Sequence, residues 1–99
     1  MRAVVLVKLD KIRPALVLTR DIALPWLDRV TIAPITSTIR GLSTEVLLGP
    51  ANGLDQECVA SCDNLTTVPR DAIVAQVGLL RATQEVELTR AISNAFDLT

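Results

Sequence analysis

There is no histidine and no tyrosine in this 99-residue chain, and one tryptophan and one phenylalanine are its only aromatics. Without histidine, a Ser-His-Asp or Cys-His nucleophile, a His-based ribonuclease and a His-rich metal centre are all excluded. Cysteine is scarce too. Cys58 and Cys62 fall in one strand-like stretch, where positions four apart lie ~13 Å apart along the strand, too far for a disulfide. They read as small core residues in a reducing compartment, and no metal site is expected. No P-loop or dinucleotide fingerprint is present. Long apolar runs are missing as well: the longest early one, Ala3 to Val7, ends at Lys8. A secretory or transmembrane segment is therefore not expected, and the reading is a cytoplasmic protein.

A basic excess is also absent. The net charge is -1 and the pI about 5.2, which argues against nucleic-acid binding through the global field and leaves only a local patch. Six of the ten basic residues (Arg2, Lys8, Lys11, Arg13, Arg20 and Arg29) lie in the first third, so such a patch is available. What the chain has in plenty is apolarity: 49% hydrophobic residues with a mean hydropathy of +0.41. A domain this small has a high ratio of surface to volume, so part of that surface is expected against another chain.

The length predicts a single domain over residues 1–99, mainly β with a C-terminal helix. Ala3 to Leu9 reads as a first strand buried on both faces, because its apolarity is nearly continuous rather than alternating. Asp10-Lys11-Ile12 is a short turn, and Arg13-Pro14 opens a strand over Ala15 to Thr19. Arg20 to Asp28 reads as a loop in which Pro25 breaks any regular element, and Trp26 fits either a partner contact or the core. Val30 to Ile35 is a third strand that Pro34 demotes to an edge or bulged position. Ser37 to Ser43 is a polar hinge, Thr44 to Leu48 a fourth strand, and Gly49 to Gly53 the clearest turn. Cys58 to Cys62 and Leu65 to Val68 are two strands or one bent strand, Pro69 to Ala72 a helical turn, and Val74 to Leu80 a last strand. Short strands at this spacing indicate a small barrel or sandwich-like sheet. The tail is a helix with Thr83 as N-cap, whose stripe of Leu88, Ala91, Ile92, Ala95 and Phe96 should pack on the sheet.

Arg and Lys for charge, Ser and Thr for hydrogen bonds, and carboxylates are the chemistry left. RNA supplies its own nucleophile, the ribose 2'-hydroxyl, so a protein that aligns it and stabilises the phosphorane with a permanently charged guanidinium needs neither histidine nor metal. Arg13 near the start of one strand and Thr36 at the end of the next are candidates for that work.

Three segments carry a family likeness. Ile12-Arg13-Pro14-Ala15-Leu16-Val17-Leu18 resembles the Arg-Pro-(Ala/Val)-Leu-Val segment of MazF/PemK-type toxins, Ile32-Ala33-Pro34-Ile35-Thr36 is similar to that family's strand ending in Pro-Ile-Thr, and Asp63-Asn64-Leu65-Thr66-Thr67-Val68 resembles its acidic-Gln/Asn-Ile-x-Thr-Ile segment. The resemblance implies an SH3-like small barrel and a homodimer that acts as a toxin of a toxin–antitoxin system. It further implies a sequence-specific, cofactor-free and metal-independent endoribonuclease that cuts single-stranded RNA, leaves 2',3'-cyclic phosphate and 5'-hydroxyl ends, and is neutralised by a cognate MazE-like antitoxin. By the same likeness Arg13 and Thr36 fall on the catalytic Arg and Thr, and Asn64 where the family often has a Gln near the RNA groove; Lys11, Ser37 and Arg40 are further expected RNA contacts, with Lys11 and Arg40 steering the strand. Two alternatives go with the fold: a CcdB-like gyrase poison without nuclease activity, disfavoured by an Asp97-Leu98-Thr99 ending in place of Trp-Gly-Ile, and an inactive SH3-like interaction module. The family's long first loop is replaced here by Asp10-Lys11-Ile12, which predicts a more open site or a truncated start.

Overall fold

The computed structural model describes residues 2–98. Its strands are β1 (Ala3–Lys8), β2 (Ile12–Val17), β3 (Arg29–Thr36), β4 (Glu45–Leu48), β5 (Cys58–Ser61), β6 (Thr66–Pro69) and β7 (Ile73–Leu79), followed by helix α1 (Ala82–Phe96). Every pairing is antiparallel, in the order β4-β5-β3-β2-β1-β7, with β6 beside β3. The sheet curls into a half-barrel against the helix.

Alternation along the central strands separates two apolar layers. Val4, Leu16, Ala33 and Ile35 join Val46, Leu48, Ala60, Leu80 and the helix residues Leu88 and Ala91 on one side. Val5, Val7, Ala15, Val17, Val30, Ile32 and Val68 form the other. With β1 buried on both faces, each fully buried Val or Leu stabilises by roughly 1.5–3 kcal/mol, and the unbroken apolarity of Ala3 to Val7 follows from that placement.

The edge or bulged position expected of β3 from Pro34 is not what forms: β3 is the most shared strand of the sheet. It pairs with β2 on one side and on the other with β6 through Ile32↔Thr66, then with β5 from Ile35↔Ala60. The hydrogen bond from Leu18 N–H to Thr31 C=O (2.9 Å) sets which way the backbone groups point. Thr31, Ala33 and Ile35 therefore face β2, and Pro34 faces the other side. There it falls between the end of the β6 ladder and the start of the β5 ladder, where a missing N–H breaks no bond. Pro14 is accommodated similarly, since the β2–β3 ladder begins only at Ala15.

Other boundaries also move. Asp21–Trp26 is a 3-10 helix containing Pro25, not a loop without regular structure, and Trp26 is 84% exposed, which removes it from the core. Cys58–Ser61 and Thr66–Pro69 are separate strands joined by a 3-10 turn over Cys62–Asn64. The helix begins at Ala82 rather than after a Thr83 cap, because the Gln84 side chain accepts the Arg81 N–H at 2.9 Å. Gln84 also bonds buried Asn52 and the Leu47 carbonyl, so the earlier start ties the helix to the turn after β4. Phe96, assigned to the apolar stripe, is 55% exposed. No helix among the described residues is long and apolar enough to cross a membrane.

The turn ending in Gly53 is pressed against β7. A Cβ on Gly53 would lie 1.9 Å from the Val77 carbonyl oxygen, and the residue has φ +82°. Gly53→Ala is expected to destabilise by about 3 kcal/mol in urea unfolding, combining overpacking with left-handed strain. Gly41→Ala, at φ +74° but with open space around it, should cost only about 1 kcal/mol.

Both cysteines are buried free thiols. Burial foremost, then the Asp63 carboxylate, pushes the Cys62 thiol up to about 11, against a small opposing effect of Arg90. In a Cys58→Ala variant, Cys62 should react with a disulfide reagent at pH 8 at least a hundredfold more slowly in the native than in the unfolded chain, measured by absorbance.

Candidate active site

Antiparallel pairing brings the beginning of β2 and the end of β3 to one end of the sheet. Arg13 is the second residue of β2 and Thr36 the last of β3. Beyond them lies an open groove of about 700 Å³ that both residues line, together with Ser37. Its floor is apolar: Leu6 and its cross-strand partner Pro14, then Pro34, Ile35, Cys58 and Val77. The two prolines offer no N–H to a ligand, so polar recognition in the groove falls to its rim. The segment Gly53-Leu54-Asp55-Gln56 completes its rim.

The Arg13 guanidinium is half-exposed and held by Asp10, with Nε to Oδ1 at 3.2 Å and Nη2 to Oδ2 at 3.3 Å. The hydrogen bond to that carboxylate, and its charge, raise the pKa of Arg13 above its ordinary value. Asp10 is held below the usual carboxylate range, first by Arg13 and then by a backbone bond at Lys11. Asp10 comes from the three-residue turn between β1 and β2, which is too short to fold over the groove. Thr36 Oγ1 accepts the Thr38 N–H at 3.1 Å, which anchors the oxygen and leaves the hydroxyl proton free to donate.

The other sequence-derived candidates do not line this groove. Lys11 is exposed in the β1–β2 turn beside Arg13. Arg40 is exposed in the loop after β3, where its backbone N–H bonds Glu45. Asn64 sits in the turn after β5 and donates to Ser61 Oγ at 2.9 Å. The groove thus gathers Arg13, Thr36 and Ser37, and leaves Lys11, Arg40 and Asn64 outside its wall.

Three residues that shape the site escape a sequence reading. Asp10 belonged to a turn with no visible partner. Asp55 lies in a polar stretch with no pattern. Glu45, at the head of β4, is buried, and its carboxylate accepts the N–H groups of Arg40 (3.2 Å), Gly41 (2.9 Å) and Leu42 (3.1 Å). The polar hinge that follows Thr36 is therefore wrapped round one carboxylate. Arg90 of α1 donates to the carbonyls of Ser43 and Glu45, and Asn94 to that of Ser43. Part of the helix face opposite the apolar stripe thus clamps this loop. Among the described residues no three His, Cys, Asp or Glu side chains stand together as a metal-ligand set.

A family model for the PemK-like, MazF-like toxin of type II toxin–antitoxin systems matches residues 3–96. The chain is 52% identical over 98 residues to a Mycobacterium tuberculosis protein named endoribonuclease MazF3, covering 99% of this chain and 95% of that one. It is 40% identical over 86 residues to the same species' probable endoribonuclease MazF5, covering 87% and 76%. The solved structure of Mycobacterium tuberculosis toxin MazF-mt6 matches with a TM-score of 0.96 at 51% identity over 99% of each chain. At 22% identity, an endoribonuclease in complex with its cognate antitoxin from a mycobacterial species shares the fold, with a TM-score of 0.87 over 98% of this chain and 93% of that one. A family match across nearly all its residues and a relative of more than half identity along the same length agree: the chain belongs to the PemK-like, MazF-like toxins of type II toxin–antitoxin systems.

Proposed function

We propose that this chain is the endoribonuclease toxin of its system and cuts single-stranded RNA in the groove between Arg13 and Thr36. The observation that carries this reading is the meeting of a permanent cation and a proton-donating hydroxyl on one open apolar groove, in a chain that has no histidine. In the reaction the ribose 2'-oxygen forms a bond to the adjacent phosphorus and the bond from phosphorus to the 5'-oxygen breaks. The 2' proton passes to solvent and the 5'-oxygen gains one, which gives a 2',3'-cyclic phosphate and a 5'-hydroxyl. Arg13, whose pKa is raised, stays cationic throughout and stabilises charge on the phosphorane. Thr36 donates to a phosphate oxygen, and Ser37 adds a second hydroxyl. Lys11 and Arg40 steer the polyanion from outside the groove, and Asn64 touches RNA only where a strand longer than the groove continues past it. The scheme needs no metal.

Apolar side chains left at the surface, Ile22, Trp26, Val86 and Leu98 among them, support a homodimer. They also support a cognate antitoxin whose acidic segment folds over the basic rim on binding. Sedimentation at micromolar concentration should show the dimer, and a monomer there would remove that part of the proposal.

Arg13→Ala is expected to slow cleavage of a labelled RNA oligonucleotide about a hundredfold or more while leaving the circular dichroism spectrum unchanged. Unaltered cleavage would overturn the assignment. The wild-type rate should persist in EDTA.

The pH profile provides a separate check. The Asp10–Arg13 pair is intact above the ordinary carboxylate pKa and is lost only as the pH falls through the depressed value of Asp10. With no imidazole in the chain, the single-turnover rate should be level or rise steadily from pH 5.5 to 8.5. A bell centred near the usual histidine pKa of about 6.5 would contradict the scheme.

A further inference from the structure

An acidic residue in a groove meant for a polyanion needs a reason. Asp55 is exposed and lines the same groove as Arg13 and Thr36. Among the described residues its side chain has no ion pair or hydrogen bond, and Arg13 is engaged by Asp10. A carboxylate there repels phosphate, so it cannot serve the RNA backbone. It accepts hydrogen bonds only, and single-stranded RNA offers donors on the edges of its bases. Gln56 beside it, also exposed on the rim, supplies both a donor and an acceptor.

The segment that carries the two residues is fixed in place. Gly53 packs backbone-to-backbone on Val77. Buried Asn52 bonds the Leu79 carbonyl at 3.0 Å and Gln84 at 2.7 Å, and accepts the Gly49 N–H at 3.1 Å. The rim is therefore a rigid mount, and rigid polar groups in a groove with an apolar floor can discriminate between ligands of like shape.

Building on the RNA-cleaving reading, we propose that Asp55, with Gln56, is a specificity-determining site that selects a nucleobase presenting an exocyclic amino donor, cytosine, guanine or adenine, over uracil. Asp55 accepts from cytosine N4, or from guanine N1 and N2, while the Gln56 amide donates to the neighbouring cytosine N3 or guanine O6. Uracil sets two carbonyl oxygens on either side of its single N–H, and these face the carboxylate unfavourably. Adenine presents N6 as donor beside N1 as acceptor, the same pair as cytosine N4 and N3, and is accepted likewise.

Mapping 5'-hydroxyl ends after incubating total RNA with the wild type and with Asp55→Asn tests this. The wild type should show one position near the cut from which uracil is excluded. In Asp55→Asn the discrimination against uracil there should fall about tenfold, with the other positions unchanged and the thermal midpoint preserved. Identical preferences in the two proteins would overturn the proposal. So would a wild type in which no position near the cut excludes uracil, or a variant that merely cuts every site faster, as expected if Asp55 acted only by repulsion. A wild type that cuts no RNA would instead sink the function on which the proposal rests.

Discussion

The arrangement depends on one strand changing partners. β3 keeps β2 along one edge while its other edge passes from β6 to β5, and the change occurs beside Pro34. Because proline has no amide hydrogen, it is tolerated where no ladder bond is due, and at the change of partner none is. The sheet can therefore bend out of one plane there, with the N-terminal half of β3 closing one apolar layer and the C-terminal half the other. The groove opens at the point where β3 leaves the second layer, which is why the end of that strand carries Thr36 to the rim.

That constraint also decides how the chemistry is distributed. Antiparallel pairing of β2 with β3 puts the start of one beside the end of the other, so residues far apart in sequence, Arg13 and Thr36, line one groove. The turn before Arg13 is short, and its one carboxylate, Asp10, orients the guanidinium. The loop after Thr36 is long, and buried Glu45 organises it by accepting three backbone N–H groups. Helix α1 reaches the same loop through Arg90 and Asn94, and through Gln84 it holds Asn52, the residue before the rim segment. A helix that periodicity presents as a cover for the core is thus also a brace for both sides of the groove. A site built from guanidinium, hydroxyl and amide groups has no titrating centre of its own, so its power rests on preorganised charge, and preorganisation requires such braces.

Much was legible in the residues themselves. The absence of histidine confined the chemistry to groups that do not titrate near neutrality, and the unbroken apolarity of Ala3 to Val7 marked a strand covered on both faces. Turn residues from Gly49 to Gly53 and the stripe of Leu88, Ala91 and Ile92 located the tight turn and the helix. These features are local: periodicity, backbone restriction and composition act within a few residues. The Arg-Pro and Pro-Ile-Thr segments brought the family likeness, which the match over residues 3–96 establishes.

What the sequence by itself determined, then, was the kind of element at each place and the kinds of reaction the chain could perform. Only the tertiary structure decided that Pro34 sits in a shared strand, that Trp26 lies outside the core, that Glu45 is buried as the centre of a loop, and that Asp55 and Arg13 line one groove. Each of those outcomes turns on what lies opposite a residue in space. Pairing partners, burial and the sharing of a cavity are set by contacts between distant segments, on which a residue's own neighbours in the chain carry no information.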